Sequence, residues 1–189
     1  MRLATVTPRF RPPETLAQNL KKQVDPLIPV TDFIGVLDAD VEPDKRFRDL
    51  PERVDDAQNL YDIIAPRVVS SSRVYRFLDW FEDHLVFSAR IRGCAVWYNT
   101  MFLKRVGGFP LVTTPDTWLR SKSMGTLIVS SCVVVHQQNF SLSHGLSNQW
   151  RDGKSRAELG YSFWKTVLHS IFRLRPFVIV SYLWTWFHV

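Results

Sequence analysis

A chain of 189 residues that is 46% hydrophobic and 22% charged looks globular and is long enough to bury a core of its own. Its formal charge of +6 suits an anionic partner such as a nucleotide or a phospholipid surface. No dense Lys/Arg run interleaved with aromatics occurs, which argues against nucleic acid. Its two cysteines, Cys94 and Cys132, stand far apart without CxxC spacing; they read as buried reduced thiols and suggest neither zinc nor a redox pair.

In chain order, residues 3–7 (LATVT) predict a short strand. Pro12 and Pro13 precede "ETLAQNLKKQ", a helix with proline at its start and lysines at its end, the arrangement that backbone geometry and the helix dipole favour. "DFIGVL" (32–37) is apolar without alternation, as in a strand covered on both faces. Strand, helix and strand make a βαβ unit, so the expected class is α/β with a mostly parallel sheet flanked by helices. "YDIIAPRVVS" (61–70) predicts another buried strand, broken by Pro66. Val74, Phe77, Leu78, Phe81 and Leu85 recur at helical spacing and predict a helix with one apolar face. "GCAVWYN" (93–99) predicts a strand, "TMFLKRVGGFP" a short helix stopped by Gly107 and Gly108, and "TLIVSSCVVVH" (126–136) a strand ending in histidine.

The opening "MRLATVTPRFRPPET" has no apolar stretch of the kind a signal peptide needs. The C-terminal segment 161–189 is set apart as amphipathic and membrane-associated, following a main domain of residues 1–160. Residues 161–175 carry Lys165, Arg173 and Arg175 among aromatics and read as an interfacial helix; 177–189 holds no Lys, Arg, Asp or Glu but is short for a membrane span. Trp164, Trp184 and Trp186 belong to a residue type favoured at lipid interfaces. The alternative is a hydrophobic helix packed on the domain.

Asp38 and Asp40 follow an apolar strand, where ligands of open α/β sheets bind. Two carboxylates one residue apart can hold Mg²⁺ or Mn²⁺ together with phosphates; otherwise they are the polar end of a buried strand. A phosphatase of the haloacid dehalogenase type would also begin with an apolar strand and DxD. It typically has Thr or Val where this chain has Glu42.

The ordered set "DADVEPD", "GCAVWYNTMFLKRVGGFP" and "TPDTWL" resembles glycosyltransferase family 2, inverting enzymes of the GT-A fold. The resemblance covers roughly residues 31–136 and rests on the order of the motifs more than on any one. It implies a GT-A-like sheet, a nucleotide-sugar donor, and a glycan or lipid-linked acceptor. It implies that Asp40, and Asp38 directly or through the nucleotide, hold Mg²⁺ or Mn²⁺ on the diphosphate, and that Asp116 is the general base. Asp116 equally suits the N-terminal cap of the helix that it opens. His136 stands where some relatives add a histidine to the metal shell; a strand-end histidine is otherwise structural. Gly107, Gly108, Phe109 and Trp118 become acceptor-side candidates. "NQWRDGKSRAELG" (148–160) adds Trp150 as a further acceptor candidate, and Arg151 and Lys154 either as ligands of diphosphate or phospholipid or as a solvated basic face. Trp97 reads as core.

Family members carry a "DDGSxD" strand for base and ribose, and none lies between Pro8 and Asp38. "AQNL" followed by "TDFIGVLDAD" has the family's spacing with the nucleotide half missing, so the expected base pocket is incomplete. The alternatives to an inverting transferase are therefore a non-catalytic partial domain that binds a membrane or a companion chain supplying the missing half, and a DxD phosphatase. The expected location is the cytoplasmic face of the cell membrane.

Overall fold

The computed structural model describes residues 1–8, 15–77, 80, 93–137, 142–172 and 175–188. Pro12 and Pro13, Leu78, Phe81 and Leu85 of the anticipated 74–85 helix, and Arg173 lie outside the described residues; residues 73–77 are helical. The chain divides into two compact units: Met1–Val69 with Arg90–Leu111 and Pro115–Gln137, and Ser70–Ala89 with Val112–Thr114 and Gln138–Val189.

The first unit is α/β, built on a mixed sheet of six strands: β1 (Leu3–Val6), β2 (Phe33–Leu37), β3 (Val41–Glu42), β4 (Ile63–Ser70), β5 (Ala95–Asn99) and β6 (Thr126–His136), in the order β1-β2-β5-β4-β6-β3. β1 runs parallel to β2, and β5 enters between β2 and β4 antiparallel to both. The expectation of a mostly parallel sheet is corrected here. β1, β2 and β4 share a direction, but β5 is reversed among them and β3 pairs antiparallel with β6. A continuous apolar run reports burial on two faces; it carries no signal of direction.

That two-faced burial is visible residue by residue. Ile34 and Val36 of β2 join one core with Val96 and Tyr98 of β5 and Ile63 of β4, while Phe33, Ala95, Trp97 and Ile64 join the other. The first core is closed by helix α1 (Leu16–Val24) through Leu20 and Val24, by α3 (Thr100–Arg105) through Phe102 and Leu103, and by α4 (Pro115–Lys122) through Leu119. The second is closed by Phe47 and Leu50 of two 3₁₀ turns and by Ala57 of the short helix α2 (Ala57–Leu60). α1 starts at a capping box, with Thr15 and Gln18 satisfying each other's backbone N–H groups, and ends with Lys21 and Lys22 in its last turn. β4 continues through Pro66 rather than breaking there, because its pairing with β5 is confined to Ile63 and Ile64.

Trp97 is the largest buried side chain of the sheet. Its partner across the ladder is Gly35, and a methyl group on Gly35 would stand 3.0 Å from the indole. Its Nε1 donates to the Phe47 carbonyl at 2.9 Å, and the two rings lie 5.5 Å apart. The sequence assignment of Trp97 to the core holds. Trp97→Ala leaves a cavity and an unpaired buried carbonyl, and a loss of about 3–5 kcal/mol is expected in chemical denaturation. A loss under about 1 kcal/mol would show that the second core does not depend on it. Cys94 and Cys132 are buried, and neither is in a disulfide. Burial pushes the Cys132 thiol up to about 11, so it stays protonated and unreactive at neutral pH.

In the second unit, α5 (Leu142–Glu158), α6 (Phe163–Phe172) and α7 (Phe177–His188) pack together. α7 crosses α5 at Gly153, where an added Cβ would stand 2.7 Å from the Cβ of Ser181. Arg175, just before α7, pairs with Asp152 of α5 at 3.2 Å. Among the described residues no helix is long and apolar enough to cross a membrane.

Candidate functional site

β2 ends at Leu37 and the chain turns at once: the Val41 N–H donates to the Asp38 carbonyl at 3.1 Å. The Asp38 N–H donates to the Cys94 carbonyl at 2.8 Å, which ties the start of the turn to the chain entering β5. Asp40 is tied to the other side of the sheet. Its carbonyl accepts the Gln137 N–H at 2.8 Å, and β3 pairs with β6 so that Val41 stands opposite His136. That register sets His136 Nε2 3.0 Å from Asp40 Oδ2. The Asp40 side chain is 49% exposed and the His136 side chain 13%, so the carboxylate opens to solvent while the imidazole is held by its surroundings.

Asp116 sits in the first turn of α4, directly after Pro115. It is the second helical residue rather than the cap, a place where its charge faces the positive end of the helix dipole. Its carboxylate lies against Gly93: a Cβ on that glycine would stand 2.6 Å from Asp116 Oδ2 and 2.7 Å from its Cβ. Only glycine leaves this room. Gly93 is followed by Cys94, the residue that receives the Asp38 N–H. The two aspartates thus flank one dipeptide at the mouth of β5.

Tyr98 of β5 feels the charge of both. It is 2% exposed, and burial pushes its phenol well above its ordinary value, with the negative charges of Asp116 and Asp38 adding to the rise. Tyr98 therefore stays a neutral phenol. Sequence reading missed it. The available signal was a phenol set in the apolar run Ala95–Trp97 of β5.

Gly107 and Gly108 both take left-handed φ values, 86° and 93°, and stop α3 as expected. Phe109 is 2% exposed, its ring edge-on to Tyr98 with centroids 6.1 Å apart. Its N–H donates to Asp25 Oδ1 at 2.9 Å and its carbonyl accepts from Lys21 Nζ at 3.1 Å, while Lys21 and Asp25 pair at 2.6 Å. The Phe109 ring thus packs against Tyr98 within the core. Trp118 packs partly buried against the same core, with Lys122 Nζ 5.8 Å from its ring centre.

Trp150, Arg151 and Lys154 belong to α5 in the second unit, and all three are exposed. Arg151 Nη2 donates to Asn148 at 3.2 Å, and Lys154 stands 3.8 Å from Glu158.

Among the described residues, no group of three or more His, Cys, Asp or Glu side chains gathers as a ligand set. The Asp40–His136 pair still suits a divalent cation shared with a ligand. One carboxylate oxygen and one imidazole nitrogen 3.0 Å apart match neighbouring positions around a small cation with bonds of about 2.1 Å. The remaining positions would then fall to phosphate oxygens and water. No protein-family model matches the chain, and no curated protein matches it.

Proposed function

We propose that the first unit is a metal-dependent inverting sugar transferase of the family 2, GT-A type, taking a nucleotide-sugar donor and a glycan or lipid-linked acceptor. One observation carries the reading. Asp38, Asp40 with His136, and Asp116 against Gly93 come from four separate stretches of sequence, and hydrogen bonds and close approaches through the turn after β2 and the mouth of β5 link them. That edge is where α/β sheets bind ligands.

Asp40 and His136 would hold Mg²⁺ or Mn²⁺, with Asp38 beside them; such an ion, when bound, neutralises the charge that builds on a departing diphosphate. Asp116 takes the proton of the acceptor hydroxyl. The freed oxygen electron pair forms a bond to the anomeric carbon as the bond from that carbon to the diphosphate oxygen breaks, and the leaving pair departs with the diphosphate. Attack from the face opposite the leaving group inverts the configuration. Gly93 positions Asp116.

The test is release of nucleoside diphosphate by the wild-type chain from a panel of sugar nucleotides, with Mn²⁺ or with EDTA. Release that requires Mn²⁺ supports the reading. Turnover of p-nitrophenyl phosphate that Asp38→Asn abolishes would assign the site to a phosphatase instead. Gly93→Ala pushes the Asp116 carboxylate out of its seat, so kcat should fall at least about tenfold with the donor KM unchanged. An unchanged kcat would remove Gly93 from the mechanism.

A further inference from the structure

Taken by itself, the second unit distributes its side chains in the reverse of a water-soluble bundle. Of the six described residues that α6 and α7 bury, four are Ser or Thr: Thr166, Ser170, Ser181 and Thr185; the others are Val178 and Tyr182. Two of these hydroxyls are satisfied within their own helices, Ser170 on the Thr166 carbonyl at 2.7 Å and Thr185 on the Ser181 carbonyl at 2.9 Å. Ser181 reaches across to the Trp150 carbonyl of α5, and the neighbouring Gly153 lets the two backbones close up. Small and hydroxyl-bearing residues at helix contacts are the packing that lipid-embedded helices use, where the apolar surround offers no gain from burying large side chains.

The large apolar residues are on the outside. Trp164, Leu168 and Ile171 recur at i, i+4, i+7 along α6, and Val180, Trp184 and Phe187 at the same spacing along α7; all six are between 52% and 76% exposed. Each set makes one continuous stripe, and together they exceed the scattered apolar exposure of ordinary surfaces. The helices have 10 and 12 residues, which at about 1.5 Å per residue falls well short of the roughly 30 Å of a hydrocarbon core. Helices of this length and pattern can lie in a bilayer surface.

Charge selects the occupant. Residues 142–189 hold six Lys or Arg against two acidic residues, and none of the residues after Glu158 is acidic. Lys165 is exposed beside Trp164. On α6 and α7 themselves the described charge is Lys165, with no acidic residue to oppose it, which complements anionic headgroups. Against a second copy of itself this surface would set like charges together.

We propose that α6 and α7 form a monotopic anchor lying in the surface of an anionic membrane, with the two apolar stripes inserted and Lys165 at headgroup level. This stands whether or not the first unit transfers sugar. The test is co-sedimentation of the full chain with phosphatidylcholine vesicles, with and without phosphatidylglycerol. The expected result is binding strengthened by phosphatidylglycerol, at least tenfold weaker for Trp184→Glu/Phe187→Glu, with the preference for phosphatidylglycerol lost in Lys165→Glu. These positions are exposed, so far-UV circular dichroism and the melting temperature should match wild type. Quenching of tryptophan fluorescence by brominated lipid gives a second readout in the unmodified chain. Protein left in the supernatant with both vesicle types would overturn the proposal. So would binding unaffected by either variant, or a dimer that the Trp184/Phe187 variant splits with vesicle binding unchanged.

Discussion

Asp116→Asn should lower transfer by about 10²–10⁴-fold, the range that a positioned general base contributes, while metal-dependent nucleotide binding survives. The amide has nearly the size of the carboxylate, so it still fits against Gly93, where there is no room for anything larger. The fold loses only a favourable charge in the first turn of α4, a matter of about 0.3–1 kcal/mol. Loss of turnover with retained binding separates a proton-transfer role from a structural one. Unchanged turnover would place the base elsewhere and leave Asp116 as a helix-dipole partner.

Asp40→Ala should abolish the stabilisation that a nucleoside diphosphate confers in the presence of Mn²⁺. At ligand concentrations about a hundredfold above Kd, binding adds about 2.7 kcal/mol to stability. For a chain of this size that is a rise in Tm of about 5–10 °C. The variant should show no rise with UDP or GDP. His136→Ala, which removes the other donor of the 3.0 Å pair, should show a smaller rise than wild type. Without ligand, Asp40→Ala should melt close to wild type, because its side chain is half exposed and contacts at such places are worth about 0–1 kcal/mol. A full Tm rise in Asp40→Ala would show that the nucleotide is held without this carboxylate.

What could be read in advance follows from the range of each interaction. "DFIGVL" announces a buried strand because four of its five β2 residues are apolar, and those four lie in or against the two cores. The stop at Gly107 and Gly108 and the helix opened by Pro115 and Asp116 are equally local, set by backbone conformation within a turn. Direction and pairing are not local. Nothing in "CAVWYN" tells that β5 runs backwards between β2 and β4, since apolar side chains bury equally well either way.

The same limit applies to the site. The contact between Asp40 and His136 depends on the register of β3 on β6, across residues far apart in sequence. Gly93 was noticed as the lead of a strand, whereas its reason, the seat for Asp116, exists only once α4 has packed over β5. Phe109 became an acceptor candidate through the "VGGF" of the family resemblance; the clasp of Lys21 and Asp25 that holds its backbone lies in α1 and the turn after it. At the C-terminus, hydropathy marked an apolar segment. It could not tell that Thr166, Ser170, Ser181 and Thr185 would face in and the tryptophans out.

The central claim, that the edge joining the turn after β2 to the mouth of β5 is a metal-dependent sugar-transfer site, is tested most directly by one assay on three proteins. Release of nucleoside diphosphate from a panel of sugar nucleotides is followed for wild type, Asp40→Ala and Asp116→Asn with Mn²⁺ present. The account predicts release by wild type with at least one donor and a fall to background in both variants. Equal background from all three with every donor, or equal release by all three, would contradict it.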